Sequence, residues 1–229
     1  MLYGYLPAIL EGLRSTLVVS AVSLAIACLF GLVGAAAKLS PSRAANLAAD
    51  AYTTLIRGLP ELVLMLFVFY GGQYALNAVA EWAGAARPPE VPPFAAGVLT
   101  IGFVYGAYLA ETFRGAILAI PRGQIEAGLA FGMTRLQVLR RITLPQMVRH
   151  AIPGFTNNWL VMIKATAIVS VIGLSDLMNR AAQAAGSTRE PFLFYGAAAL
   201  LYLAFTTLSE LGFAWLGRRL AIGTRKAAL

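Results

Sequence analysis

From residue 114 to residue 150 the chain reads RGAILAIPRGQIEAGLAFGMTRLQVLRRITLPQMVRH, and this stretch decides how the whole sequence is interpreted. It is rich in arginine and in residues that form helices, and long apolar segments flank it on both sides. A membrane protein that keeps one long polar segment of this kind has a surface with which to contact a soluble partner. Binding of the arginines to anionic lipid headgroups explains the same charge equally well, so charge alone leaves both interpretations open.

The rest of the chain is dominated by apolar blocks. Of its 229 residues, 59% are hydrophobic and 12% are charged, and a soluble domain carries about twice that share of charge. Each of the blocks 15–37, 62–80, 94–110, 151–175 and 191–217 contains one charged residue at most. Each is close to the roughly 20 residues with which an α-helix crosses about 30 Å of hydrocarbon. The sequence therefore predicts an all-α membrane protein with five transmembrane helices, a single domain over residues 1–229, and a third helix that continues past Glu111.

Positive charge is concentrated in every second connection between the apolar blocks. Basic residues outnumber acidic ones in segments 38–57, 114–150 and 218–226, whereas segments 81–90 and 176–190 are nearly neutral. Because cytoplasmic loops carry the excess of lysine and arginine, this alternation predicts an N-terminus outside and a C-terminus inside. The net charge of +8 is thus explained by topology, and we do not expect a nucleic-acid partner.

The sequence contains no recognisable catalytic or metal-binding motif. His150 and Cys28 are its only histidine and cysteine, so no metal site is predicted. Neither a G-x-S-x-G elbow nor a G-x-x-x-x-G-K-[ST] phosphate loop occurs. We therefore expect no catalytic residue and no cofactor in this chain. The first apolar block is too long for a cleavable signal peptide and is expected to remain as the first helix.

Within 114–150 the residues predict a helix, a tight turn and a second helix. Residues 125–131 favour a helix, and Gly132 suits the left-handed turn with which many helices end. Thr134, with Gln137 three residues later, is a capping-box pattern that predicts the start of a second short helix. Pro145 is expected to stop that helix or to begin the next turn. A unit of this kind is stiff enough to transmit a mechanical push.

The spacing of this unit resembles the E-A-A loop of the membrane subunits of ABC importers. The matching positions are Glu126, Ala127, Gly128, Gly132, Ile142, Leu144 and Pro145, with Gly128 standing where the family has a second alanine. Three more segments are similar to segments of polar amino-acid permeases: IRGLPELV at 56–63, YGAYLAETFRG at 105–115 and IKATAIVS at 163–170. The likeness covers nearly the whole chain. It is greatest to the Q-type subunits of importers for histidine and for lysine, arginine and ornithine.

The resemblance implies both a fold and a function. The fold is the transmembrane domain of a type I ABC importer, with a coupling helix in the cytoplasmic segment 114–150 and the matching positions in contact with the ATPase. The function is that of a permease subunit in a bacterial inner membrane, which imports polar and in particular basic amino acids by alternating access. Its implied partners are a second membrane subunit of different sequence, two ATPase subunits that hold ATP and magnesium, and a periplasmic binding protein. Its N-terminus would be periplasmic, and its C-terminus cytoplasmic.

Charged groups at membrane depth are costly and mark candidate pathway residues. Lys164 lies in the fourth apolar block, where it either has a structural partner or contacts the carboxylate of a substrate; many relatives have aspartate at the next position, here Ala165. Glu61 follows Pro60 at the start of the second block, where a helix N-terminus and Arg57 explain it structurally. A carboxylate in this place also suits the cationic side chain of a basic amino acid.

Three residues of the third helix complete the predicted pathway. Glu111 and Arg114 are spaced to form an ion pair on one helix face, with a contact at a gate as the alternative. Tyr105 and Tyr108 are one turn apart and either stack over the pathway or pack in the core. The candidate pathway residues are thus Glu61, Tyr105, Tyr108, Glu111 and Lys164.

Two other classes of function compete with an importer subunit. A self-contained secondary carrier or channel would need no partner, but the sequence has no internal repeat and five helices are an odd number with which to enclose a pathway. A structural membrane protein gains little from charges such as Lys164 and Glu61 inside the membrane.

Overall fold

The computed structural model describes residues 2–85 and 88–220, and every regular element within these ranges is a helix. The eight helices that follow a short 3-10 turn (Leu2–Gly4) are α1 (Leu6–Lys38), α2 (Arg43–Gly58), α3 (Glu61–Trp82), α4 (Pro93–Leu118), α5 (Arg122–Ala130), α6 (Arg135–Ile172), α7 (Leu177–Thr188) and α8 (Pro191–Leu220). Helices α1, α3, α4, α6 and α8 are long and apolar enough to cross a membrane. The five predicted spans are therefore confirmed, and α4 continues past Glu111 as expected.

Helix α4 is the centre of the bundle. More than half of its residues are buried, whereas only Met65 and Ala80 of α3 and only Phe194 and Ala198 of α8 are buried. Its largest interface is with α1, and it also packs on α2, α3 and α6. A helix that is apolar all round and surrounded by others is typical of the interior of a membrane domain.

Small residues bring α1 and α4 close together. A Cβ atom on Gly31 would lie 2.7 Å from the Cβ of Leu109, and one on Gly106 would lie 2.5 Å from the Cβ of Phe30. Real side chains do not approach so closely, so only glycine fits at these positions. This is the packing expected from the small residues of the first apolar block, because helices in lipid associate through van der Waals contact.

Two helices lie in segments whose sequences are too polar for a span. Helix α2 occupies segment 43–58, and the hydroxyl of Ser42 caps it by accepting a hydrogen bond from the backbone N–H of Ala45 at 3.4 Å. Helix α7 lies in segment 177–188, and Asp176 caps it in the same way through Asn179. Both segments were expected to be connecting loops; their capping residues and their one-sided apolar pattern are signals of amphipathic helices that this expectation overlooked.

Of the two roles expected of Pro145, helix α6 contradicts the end of a short helix and agrees with the beginning of the next turn, because Pro145 lies in the first turn of the α-helical segment Leu144–Ala165. The helix that begins at Arg135 continues to Ile172, with a π-helical segment at Leu139–Thr143. There the N–H of Leu144 bonds to the carbonyl of Leu139, five residues back. A proline has no N–H and crowds the preceding turn, and a π-helical turn relieves that crowding without ending the helix. Segment 114–150 is therefore mostly helix and ends inside the fourth span.

Two predicted features lie partly outside the described residues. Residues 88–92 of the proline-rich segment between α3 and α4 have no regular structure, and Pro93 begins α4. Residue 87 of that segment lies outside the described ranges, as do Arg225 and Lys226 of the basic tail.

Candidate functional site

Helix α5 and the turn that follows it form a compact unit. The turn is closed by two backbone hydrogen bonds of 3.0 Å, from Met133 N–H to the Gly128 carbonyl and from Gly132 N–H to the Leu129 carbonyl. Gly132 has φ +81°, so it supplies the left-handed residue of this Schellman-type turn as the sequence predicted. Only glycine adopts this conformation without strain.

The second helix of the unit begins with the predicted capping box. Gln137 N–H donates to Thr134 Oγ1 at 3.3 Å, and Thr134 N–H donates to Gln137 Oε1 at 2.8 Å. Because this helix is the start of α6, the turn joins α5 rigidly to a membrane-spanning helix.

Gly128 and Ile142 meet where α5 folds back on α6. Gly128 is buried, and a Cβ atom there would lie 2.6 Å from Cδ1 of Ile142 and 3.2 Å from Cγ2 of Val138. The glycine that departs from the family pattern thus provides space for Ile142, which is itself one of the matching positions. Leu144 and Pro145 follow on the exposed side of α6.

The opposite side of α5 faces outward. Glu126 and Ala127 are exposed, and Phe131 at the end of the helix is 86% exposed. An open groove of about 300 Å³ lies alongside, lined by Leu129, Leu139 and their neighbours. A rigid helix with a mixed polar and apolar face is chemically suited to contact another protein.

Glu61 lies at the centre of a second group, the Glu61 cluster, formed by Arg57, Glu61, Tyr105 and Tyr108. The Tyr105 hydroxyl donates a hydrogen bond of 3.0 Å to Glu61 Oε1, and the rings of Tyr105 and Tyr108 are tilted against each other with centroids 5.6 Å apart. Tyr105 is buried and lies near the middle of the 26-residue α4. The carboxylate is therefore held near the middle of the central membrane helix, although it begins α3.

The structure corrects the expected pairing of Arg57 with Glu61. Arg57 instead lies over the ring of Tyr108, with Cζ 5.1 Å from the ring centroid, and among the described residues it forms no ion pair. Pro60 precedes α3 rather than lying in its first turn, while Glu61 does occupy that turn as expected. The enclosed space beside Glu61, about 10 Å³, admits about one water molecule, so an amino acid does not fit there.

Lys164 lies away from the Glu61 cluster. It lines a separate open cavity of about 560 Å³ between α6, α7 and α8, together with Met178, Tyr195, Tyr202 and Thr206. Ala165, the next residue, faces the Glu61 side instead. Lys164 and Glu61, the two predicted intramembrane charges, therefore lie on opposite sides of α6.

Glu111 belongs to a third group, the Lys38 cluster, formed by Lys38, Asp50, Glu111 and Arg114. The predicted pair of Glu111 and Arg114 is present, with Arg114 Nε 3.0 Å from Glu111 Oε2. Lys38 bonds to the other oxygen of Glu111 and lies 2.7 Å from Asp50 Oδ1. The sequence analysis missed Lys38 and Asp50 as partners, because no local pattern connects residues so far apart along the chain.

A buried carboxylate at Asp176 also escaped the sequence analysis. Asp176 is 1% exposed, and its Oδ1 accepts a hydrogen bond of 2.8 Å from Asn179 N–H. Burial raises its pKa to about 6, and the backbone hydrogen bonds that it accepts oppose this rise. Within residues 2–85 and 88–220, no three metal-binding side chains lie together.

Comparison with known proteins agrees with this arrangement. The family described as "Binding-protein-dependent transport system inner membrane component" matches residues 6–222. The chain is 49% identical over 229 residues to the histidine/lysine/arginine/ornithine transport system permease protein HisQ of Escherichia coli, and the match covers 100% of both chains. It is 41% identical over 161 residues to the arginine ABC transporter permease protein ArtQ of Haemophilus influenzae, which covers 70% of this chain and 71% of that protein.

A solved structure has the same fold. One chain in the crystal structure of an amino acid ABC transporter with histidines superimposes with a TM-score of 0.79 at 32% identity, covering 94% of this chain and 95% of that one. The fold class predicted from the sequence is confirmed by this likeness.

Proposed function

We propose that this chain, which belongs to the family of binding-protein-dependent transport system inner membrane components, carries basic amino acids from the periplasm into the cytoplasm. It is a permease subunit of an amino-acid ABC importer and lies in the inner membrane; it is not itself an enzyme. The observation that carries the proposal is the 49% sequence identity, over the full length of both chains, to a histidine/lysine/arginine/ornithine permease. We infer histidine, arginine, lysine and ornithine as substrates.

The importer assembles from several chains. A second membrane subunit of different sequence faces this one, two ATPase subunits bind ATP and magnesium, and a periplasmic protein delivers the amino acid. Lipid surrounds the remaining outer faces, including the largely unburied α3 and α8. The N-terminus is periplasmic and the C-terminus cytoplasmic, as the distribution of lysine and arginine in the connections favours.

Helix α5 couples the membrane domain to ATP hydrolysis. Its exposed face, with Glu126, Ala127 and Phe131, lies in a groove of the ATPase. When ATP draws the two ATPase subunits together, α5 is displaced, and the rigid turn at Gly132 passes that displacement to α6. Ile142, Leu144 and Pro145 lie at the start of α6, where the movement enters the membrane. The membrane subunits then switch between inward-facing and outward-facing states, which nucleotide biases.

The amino acid meets two different charges on its way, Lys164 in an open cavity and Glu61 once the switch between states widens the space beside that carboxylate. The Lys164 cavity, at about 560 Å³, is large enough for an amino acid, and its ammonium group suits the substrate carboxylate. The carboxylate of Glu61, held at the middle of the bundle by Tyr105, suits a guanidinium or ammonium side chain. Tyr108 and Glu111 extend the line of polar groups along α4 toward the cytoplasm.

Co-purification of this chain from its native host in mild detergent tests the proposal. Mass spectrometry of the chains that are recovered is expected to identify an ATPase and a second, different membrane subunit. Reconstitution of that complex with its binding protein in liposomes should give ATP-dependent uptake of labelled arginine or histidine.

Recovery of this chain alone, even after crosslinking at residue 126, would contradict the proposal. Uptake by the isolated chain, driven by an ion gradient and independent of ATP, would identify it as a secondary carrier instead.

A further inference from the structure

Lys38 is the most deeply buried cation of an ion pair among the described residues. It ends α1, yet its side chain is only 7% exposed. Burial of an ammonium group is costly unless anions surround it, and here Asp50 and Glu111 lie on either side. Arg114 holds the second oxygen of Glu111 at 3.0 Å. The Lys38 cluster therefore joins the end of α1 to both α2 and α4.

Helix α2 is fastened to α4 at two further points. The Tyr52 hydroxyl donates to the Phe103 carbonyl at 2.6 Å, and Arg57 lies over the ring of Tyr108. Within the described chain, α2 has its main contacts with α1 and α4. A displacement of α4 is therefore carried into α2, provided that these fastenings hold.

Helix α4 leads to the proposed coupling helix, and helix α2 leads to Glu61. From Glu111, α4 continues to Leu118, and the coupling helix α5 begins at Arg122. From Asp50, α2 continues to Gly58, and Glu61 begins α3. The Lys38 cluster thus lies between the segment that contacts the ATPase and the carboxylate in the middle of the membrane. Leu118, the end of α4, is about 10 Å along that helix from Glu111, and Gly58, the end of α2, is about 12 Å along its helix from Asp50.

We propose that Lys38 is a positioning residue for coupling, which fastens α2 to α4 through Asp50 and Glu111 so that movement of the coupling helix reaches the Glu61 cluster. This inference rests on the proposed function. When Lys38 loses its charge, Asp50 and Glu111 repel each other, and α2 follows α4 less closely because only the contacts of Tyr52 and Arg57 still hold it. ATP hydrolysis then continues, but less of it results in transport.

The test uses the complete importer in liposomes and measures amino acid transported per ATP hydrolysed. Lys38→Met keeps the length of the side chain and removes its charge, and Lys38→Arg keeps the charge. Arg43→Met is the matched control, because Arg43 is the exposed first residue of α2 and has no ion pair with a described residue. Asp50→Asn, at a carboxylate whose side chain is 60% exposed, weakens the same fastening with less risk to folding.

Lys38→Met is expected to lower the transport per ATP about tenfold, within the range of measured coupling effects, while Lys38→Arg and Arg43→Met keep it near the wild-type value. Asp50→Asn should lower it in the same direction, and the double variant Lys38→Met/Asp50→Asn should be no worse than Lys38→Met alone. If Lys38→Met does not assemble, the Asp50→Asn result decides.

An unchanged ratio in Lys38→Met, with only a lower melting temperature, would overturn the proposal and leave Lys38 a purely structural residue. So would an unchanged ratio in Asp50→Asn when Lys38→Met does not assemble. Failure of the proposed function itself has a different signature, since the wild-type complex would then show no ATP-driven uptake at all.

Discussion

At the scale of single residues, Asp176 is a carboxylate that the fold buries without a cation to pair with it. Its Oδ2 atom has no hydrogen-bond partner in the described part of the chain, and the adjacent Arg180 pairs with Glu11 at 3.3 Å instead. Tyr202 and Thr16 are the polar groups that α8 and α1 bring near it. Desolvation is therefore the main cause of its raised pKa of about 6.

We predict that Asp176 makes the stability of the protein depend on pH. Its carboxyl binds a proton more readily in the folded protein than in the unfolded chain, where its pKa is about 3.9. Protonation therefore stabilises the fold as pH falls through 6, by about 2 kcal/mol at pH 4 relative to pH 7. Asp176→Asn keeps a good capping residue and removes the charge, so it should raise the melting temperature at pH 8 by several degrees.

Thermal unfolding of the detergent-purified protein between pH 5 and pH 8 checks this prediction. Glu190→Gln, at an exposed carboxylate two residues beyond α7, should keep the wild-type pH profile. An Asp176→Asn profile that runs parallel to the wild type would disprove the assignment.

Glu61 belongs to the same scale because the role in transport that we propose for it depends on one charge. Glu61→Gln keeps the acceptor for Tyr105 but removes the negative charge, so arginine should lose a charge-assisted interaction. We expect the KM for arginine uptake to rise roughly tenfold, the equivalent of about 1.4 kcal/mol, with a smaller change for neutral histidine.

Uptake kinetics at pH 8 in reconstituted importer provide the measurement for Glu61. Glu81→Gln, an exposed carboxylate at the opposite end of the same helix, serves as the matched control and should behave as wild type. Unchanged affinity and selectivity in Glu61→Gln would rule out its role in recognising basic amino acids.

At the scale of elements, the turn between α5 and α6 is the joint on which the proposed coupling depends. Gly132 is held at φ +81°, a conformation that costs other residues about 1–2 kcal/mol and β-branched ones most. We predict that Gly132→Val distorts the turn, so that ATP hydrolysis continues while amino-acid uptake falls several-fold.

The matched control for this prediction is Gly123→Ala in α5. Its added Cβ meets no atom within 4 Å, its backbone is helical, and alanine favours a helix more than glycine does. Both activities of Gly123→Ala should equal those of wild type. Normal uptake in Gly132→Val would mean that the turn does not transmit the movement.

The elements also reveal where sequence patterns mislead. Pro145 suggests a helix end, but the π-helical segment before it lets α6 continue for another 27 residues to Ile172. Helix α2 looked like a charged loop because Arg43, Asp50 and Arg57 are spread along it. The partners of Asp50 and Arg57 are known only from the tertiary structure, in which α1 brings Lys38 beside Asp50 and α4 brings Tyr108 beside Arg57.

At the scale of the whole molecule, the fold depends on the close contact of α1 with the central α4. We predict that Gly106→Leu separates these helices, because its side chain would overlap Phe30 and the hydroxyl of Tyr52. Overpacking of this kind costs about 1–3 kcal/mol or more, so the amount of folded protein in the membrane should fall.

Gly115→Leu on the same helix is the control, since no atom lies within 4 Å of its added Cβ. Fluorescence-detected gel filtration and thermal unfolding of both variants provide the comparison. Equal stability of Gly106→Leu and Gly115→Leu would show that the contact of α1 with α4 tolerates an extra side chain.

Much of this organisation could be predicted from the sequence. The five spans follow from the length of the apolar blocks, because the bilayer imposes both a length and a helical backbone on any segment that crosses it. The turn at Gly132 and the capping box at Thr134 follow from local backbone chemistry, which depends on residues close together in the chain. The sequence alone thus determined the number of spans, the helix–turn–helix form of the unit around Gly132, and the family.

Only the tertiary structure decided which charged groups meet. It placed Lys164 and Glu61 on different faces of α6, paired Tyr105 with Glu61, and surrounded Lys38 with carboxylates from two other helices. The physical reason is that an ion pair or hydrogen bond depends on the rotation and depth of each helix. These are set by how small residues such as Gly31 and Gly106 let the helices approach, and not by any spacing along the chain.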